Sequence, residues 1–200
     1  MLLSQKLNSN LNLRRKEELL LQQYEKGDEI SVSESEIWQI YRGVVQLSKI
    51  RQNGDEIILG WVGANGVFGN NLDSSQMYRA VALCDVYAKR YKGQEVYRHP
   101  LLAKQFLTQF SDRLIKSQKL LSIISIRRVE DRLKQLLLML KQEIGQPNDD
   151  GVRLQVRFTH QHLAEAIHTT RVTVTRVLGD FQAQGAIYFD EARHIVIRDL

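Results

Sequence analysis

Cysteine occurs once in the 200-residue chain, at Cys84. That excludes a disulfide framework and any metal site or iron–sulfur cluster built on cysteine, and it points to a reducing compartment. Cys84 lies in the apolar run Ala80 to Val86, as a small core residue would. No apolar stretch reaches the roughly 20 residues of a membrane span, and the opening MLLSQKLNSN lacks the apolar centre of a signal peptide. The expectation is a cytoplasmic protein with no membrane partner. Paired carboxylates, a nucleophile elbow and a phosphate-binding loop are all missing, so the chain is not expected to be an enzyme. Lysine is absent from Pro147 to Leu200, where six arginines stand against seven acidic residues. The net charge of +5 therefore permits a polyanionic partner. In that region, however, binding must come from where the arginines point.

What is present divides the chain into three textures. Residues up to about Gln23, rich in helix formers from Arg14 onward, predict a helix. From Tyr24 to Tyr91 the runs are short and β-like, punctuated by glycine. IWQIYRG (Ile37 to Gly43), VVQLSKI (Val44 to Ile50) and EIILGWV (Glu56 to Val62) predict strands, the last two joined by a hairpin turn at Asn53-Gly54. AVALCDVYA (Ala80 to Ala88) continues the β texture, and the whole indicates an antiparallel roll or barrel. Neither proline nor glycine interrupts Leu101 to Ile144, and Pro100 suits a first helical turn. Phe110, Leu114, Ser117, Leu121 and Ile124 alternate four and three apart, the spacing of a coiled-coil seam. The stripe shifts at Ile126-Arg127-Arg128, which predicts a hinge before a second helix with Val129, Leu133, Leu136, Leu137, Leu140 and Ile144 inward. The seam would join two copies of the chain or pack on the roll of its own chain. QPNDDG (Gln146 to Gly151) predicts a turn-rich connector, and Val152, Leu154 and Val156 a short strand.

The segment FTHQHLAEAIHTTRVTVTRVLGDF (Phe158 to Phe181) predicts two short helices, with Thr159 and Thr170 as N-caps and a break at His168-Thr169. Helices joined by so short a turn cross steeply, as in a helix-turn-helix. Val174, Val177, Leu178 and Phe181 form the buried face of the second, leaving Arg171, Val172, Thr175, Arg176 and Gly179 outward. Arginine forks match guanine edges, and a valine or threonine methyl meets a thymine methyl. An ordinary helical hairpin with a polar outer face is the alternative. Gly185 then suits a helix C-terminus, and AIYF (Ala186 to Phe189) and HIVI (His194 to Ile197) predict a terminal hairpin, as in a winged helix. His160 and His162 lie two apart on a helix and face different ways, which argues against a metal site.

In this order the parts resemble the Crp/Fnr superfamily of bacterial transcription regulators. The likeness rests on YEKGDEI (Tyr24 to Ile30), NGDEIILGWVGANGVFG (Asn53 to Gly69), VEDRLKQLLLML (Val129 to Leu140) and HQHLAEAIHTTRVTVTRVLGDF (His160 to Phe181). The last string and MYRAVALCDV (Met77 to Val86) are similar to the cyanobacterial nitrogen-regulator (NtcA) branch. The resemblance implies an α+β protein: an N-terminal antiparallel β-roll (double-stranded β-helix, cupin-like) over 1–99, a long dimerisation helix and hinge over 100–127, and a C-terminal winged helix-turn-helix over 128–200. It implies a homodimer joined through Phe110, Leu114, Ser117, Leu121 and Ile124, with double-stranded DNA and RNA polymerase as partners.

Residue by residue, the resemblance makes Arg171 the guanine reader. Val172 stands where catabolite and anaerobic regulators have glutamate, which shifts the half-site from TGTGA-like towards GTA-like. Thr175 and Arg176 face the same groove, and Thr159, His160, Gln161 and Thr170 hold the DNA backbone. In the roll, Phe68-Gly69 is followed by Asn70-Asn71 rather than by the glutamate and arginine-serine pair of cyclic-nucleotide binders, so cyclic AMP is not expected. The nitrogen-regulator branch binds 2-oxoglutarate between two arginines; Arg113 matches one, and Gln76 stands at the other, with Arg79 three residues on. Arg113 is otherwise a solvated helix charge. Two functions stay open: a dimeric transcription regulator, with 2-oxoglutarate or without an effector, and a Crp-like protein-interaction module or a regulator under a different ligand or partner protein.

Overall fold

The computed structural model describes residues 21–33, 35–52, 54–69 and 77–200. Two antiparallel sheets form the N-terminal roll. One has the order β1-β7-β2-β5, from Gln22–Tyr24, Val86–Lys92, Glu36–Arg42 and Val67–Gly69. The other has the order β4-β3-β6, from Glu56–Val62, Val45–Ile50 and Met77–Ala82. Alternation decides what lies between them. Trp38 and Ile40 of β2 meet Leu47 of β3, Ala80 of β6 and Phe68 of β5 in one buried cluster, while Ile37 turns to the opposite face. That face is covered by a short helix α1 (Gly93–Tyr97) and by the long helix α2 (Pro100–Ile124), through Val96 and Phe106.

The three runs chosen by alternation are strands at the expected places. Two expectations on the roll are corrected. Gln22 and Gln23 belong to β1, paired with Ala88 and Tyr87, because an open sheet edge offers more hydrogen bonds than helical propensity can. The rest of the expected N-terminal helix, and Asn53 of the expected hairpin turn, lie outside the described residues. AVALCDVYA is not one strand but a corner, with β6 ending at Ala82 and β7 starting at Val86. The corner depends on Gly43, whose φ is +92°, and a Cβ there would collide with the Asp85 carbonyl. Gly43→Ala is therefore expected to cost about 1–3 kcal/mol, read as a lowered midpoint in chemical denaturation.

α2 starts at Pro100 and ends at Ile124; residues 125–128 are not helical, and α3 (Val129–Ile144) follows. The connector expected at QPNDDG is instead a hairpin of β8 (Gly145–Asn148) and β9 (Gly151–Leu154), turning at Asp149-Asp150. Pro147 is tolerated because β8 is the edge of its sheet, where a missing N–H costs no ladder bond. With β10 (Ile187–Phe189) and β11 (Ile195–Ile197) the order is β10-β11-β9-β8. This sheet, α3 and two further helices, α4 (His160–Ala166) and α5 (Arg171–Ala183), enclose the C-terminal core. The same apolar cluster continues into the roll through Val44, Ile58, Trp61 and Leu83, and Trp61 meets Phe158 edge to face at 5.7 Å. No helix among the described residues is long and apolar enough to cross a membrane.

Candidate nucleic-acid interface

Both short helices start where their threonines dictate. Thr159 accepts from the His162 backbone N–H at 3.1 Å, and Thr170 accepts from that of Thr173 at 3.2 Å. Each satisfies a donor that a first helical turn leaves open. Between them His168 adopts φ +51°, the left-handed setting that reverses the chain within a few residues. Sequence reasoning placed this break but could not see that histidine, rather than glycine, carries it. Gly185, at φ +72°, follows the end of α5 in the left-handed setting of a helix terminus.

α5 buries Val174, Val177, Leu178 and Phe181 and presents Arg171, Val172, Thr175, Arg176 and Gly179 to solvent. Val172 is 78% exposed, so its methyl groups are open to contact from outside. Beside this strip lies an open groove of about 780 Å³ between the start of α4, the start of α5 and the wing turn. Arg157, Thr159, His160, Gln161, Arg171 and Arg193 line it. Of these, Arg157 and Arg193 were given no site role from sequence; only a count of arginines against acids hinted at them.

The arginines of this region sort into two groups. Arg153 pairs with Asp190 at 2.6 Å, Arg198 with Asp150 at 3.5 Å and Arg176 with Asp180 at 3.2 Å. Arg157, Arg171 and Arg193 make no ion pair among the described residues, and all three line the groove. A region with more acids than arginines thus presents one locally positive face, because three arginines and no carboxylate line the groove. His160 joins this face: its Nδ1 lies 2.7 Å from Thr175 Oγ1, and its ring leans on Phe189. Burial, and then the charge of Arg171, hold its pKa below the usual histidine value.

Of the residues expected for an effector, the described ones, Phe68, Gly69, Arg79 and Arg113, do not line one site. Asn70, Asn71 and Gln76 lie outside the described residues. Phe68 is fully buried, stacked on Trp38, and Gly69 ends β5 opposite Ile37. Strand alternation sends Tyr78 toward α2 and Arg79 the other way, so Arg79 is not a partner for Arg113. Arg79 instead pairs with Glu29 at 3.1 Å. Arg113 donates from Nη2 to the Tyr78 hydroxyl at 3.0 Å. Burial pushes that phenol's pKa up, so it stays neutral.

The expected seam also divides. Leu114 and Leu121 are 60% and 67% exposed, and Leu107, one heptad earlier and missed from sequence, is 68% exposed. Phe110 leans on the Phe106 cluster and Ile124 on the large core, while Ser117 borders a small cavity with Leu47 and Trp61. The two heptad rows thus face differently: Phe110, Ser117 and Ile124 turn toward the chain's own body, and Leu107, Leu114 and Leu121 toward solvent.

A profile of the Crp-like helix-turn-helix domain matches residues 131–200. The global nitrogen regulator of Synechococcus elongatus is 30% identical over 187 residues, covering 88% of this chain and 84% of that one. The global nitrogen regulator of Synechocystis is 33% identical over 155 residues, covering 73% and 69%. Among solved structures, a CRP-family transcriptional regulator from Thermus thermophilus superposes with a TM-score of 0.76 at 17% identity, over 90% of this chain and 92% of that one. A two-sheet roll, a long helix and an arginine-lined helix-turn-helix, with relatives of this identity along most of the chain, make it a DNA-binding transcription regulator of the Crp/Fnr superfamily.

Proposed function

We propose that the protein reads DNA as a homodimer on an inverted repeat of GTA-like half-sites, with Arg171 on the guanine. The observation that carries this reading is the segregation of the arginines, which leaves Arg157, Arg171 and Arg193 unpaired on the face that also exposes Val172. In this reading Val172 and Thr175 offer methyl groups to thymine, and Arg176 leaves Asp180 for a base edge or phosphate. Thr159, His160, Gln161 and Thr170, at the two helix N-termini, hold phosphates. Leu107, Leu114 and Leu121, seven apart and exposed, form the line along which α2 meets its symmetry mate. The two reading helices then engage half-sites about one helical turn apart. RNA polymerase is the partner that such a regulator recruits or blocks. A binding selection from random duplex should return GTA…TAC-like palindromes; a pool without two-fold symmetry would point instead to a protein-interaction module.

Control by nitrogen status through 2-oxoglutarate is the natural extension of the likeness to the global nitrogen regulators. Two features weaken it here. Gln76 stands where the second arginine of such a site is expected, and Arg113 already has the Tyr78 hydroxyl. A carboxylate deprived of a charged, forked partner loses about 1.5–3 kcal/mol. A dicarboxylate is then held at least roughly tenfold more weakly than by two arginines. The expected result is that millimolar 2-oxoglutarate leaves the DNA affinity of the wild type nearly unchanged. Strong stimulation, abolished by Arg113→Ala, would show that the site is complete after all.

A further inference from the structure

Thr175 has one hydroxyl proton, and it is spent. Its Oγ1 donates to the Arg171 carbonyl, one turn back on α5, at 2.9 Å. While that bond is made the same oxygen accepts toward His160, and His160 Nδ1, at 2.7 Å, is the donor. The neutral ring consequently has its lone pair at Nε2. Nothing engages Nε2 among the described residues, and the ring is steadied by Phe189, with centroids 6.1 Å apart. A lone pair repels a phosphate oxygen, whereas an N–H on a charged ring binds one.

We propose that each subunit takes up one proton from solvent at His160 Nε2 as it closes on DNA, turning the ring into an imidazolium that donates to a backbone phosphate. The inference rests on the proposed DNA reading and adds its ionisation. The charged groups that line the groove with the ring come from every element around it: Arg157 before α4, Arg171 on α5 and Arg193 in the wing turn, with no carboxylate in the lining. In free protein the partial burial of the ring, and then the charge of Arg171, disfavour a charge on it. A bound phosphate reverses that balance. The arginines keep their charge at all relevant pH values, so among the groove-lining groups His160 alone changes charge between pH 5 and 8.

The direction follows from linkage. Between the lowered pKa of the free ring and the raised pKa of the bound ring, the complex holds a proton that the free protein lacks. Affinity is therefore greatest below the free-state pKa and declines as pH rises toward the bound-state one, by up to about tenfold per pH unit for each half-site.

Anisotropy titrations with a palindromic duplex at constant ionic strength, from pH 5.5 to 8, test this on the full dimer. The wild type should show that decline, while His160→Gln, which keeps a donor that cannot titrate, and His160→Arg, which is always charged, should lose the His160 part of it. The other four histidines are common to all three proteins. An equal pH slope in His160→Gln would overturn the proposal. NMR titration of the His160 ring in the wild type, with and without duplex, is the second arm. An upward shift of its pKa on binding is expected, and an unmoved value would overturn the proposal even if the variants misfold. A wild type that prefers no DNA sequence at any pH would sink the DNA reading itself, an outcome distinct from specific binding without the pH effect.

Discussion

Leu121→Lys is expected to leave a folded monomer that no longer retains palindromic DNA. In the single chain Leu121 is 67% exposed, so a lysine there disturbs no core, and circular dichroism should match the wild type. Across the proposed two-fold axis the same position brings two ammonium groups together in an apolar seam. Burying a charge without a counter-charge costs about 3–5 kcal/mol, enough to weaken association by two to three orders of magnitude or more. Sedimentation velocity reads the result directly. A variant that still sediments as a wild-type dimer would mean that α2 does not meet its mate along Leu107, Leu114 and Leu121.

Arg171→Ala is the second large effect. The side chain starts α5, is exposed, and makes no ion pair among the described residues, so its loss leaves the fold intact. If it forks onto a guanine, each half-site loses about 1–3 kcal/mol, and discrimination at that base relaxes. The informative quantity is the ratio of specific to random affinity, measured at one salt concentration. Loss of both affinities in equal proportion would demote Arg171 to a phosphate contact. Arg176 should matter less, because it must first give up Asp180 at 3.2 Å.

The sequence carried the reading head almost completely, and the reason is local. Thr159 and Thr170 cap their helices through their own side chains, and Val174, Val177, Leu178 and Phe181 fix which face of α5 is buried. Neither decision needs a distant residue. The strands chosen by alternation were legible for the same reason. What escaped depends on partners far along the chain. Gln22 and Gln23 became strand because β7 lay beside them, some 65 residues later. Arg157 and Arg193 reached one groove only once the wing had folded over α4. Phe110 and Ile124 are partly buried against the roll and the winged domain, which their spacing alone could not show. Side-chain direction on β6 was likewise undecidable until Tyr78 had found Arg113 and Arg79 had found Glu29.

The edge-to-face contact of Trp61 with Phe158 belongs to an apolar cluster that runs without a break from Val44 and Leu83 to Phe181. Such continuity makes the roll and the winged domain one cooperative unit. A reading head free to swing on residues 125–128 would melt by itself; this one shares its melting with the roll, because neither half can open without exposing apolar surface of the other. Reorienting the head therefore draws on folding free energy. Any signal that moves it must supply at least what separating Trp61 from Phe158 takes away, and damage deep in the roll is felt as lost DNA occupancy.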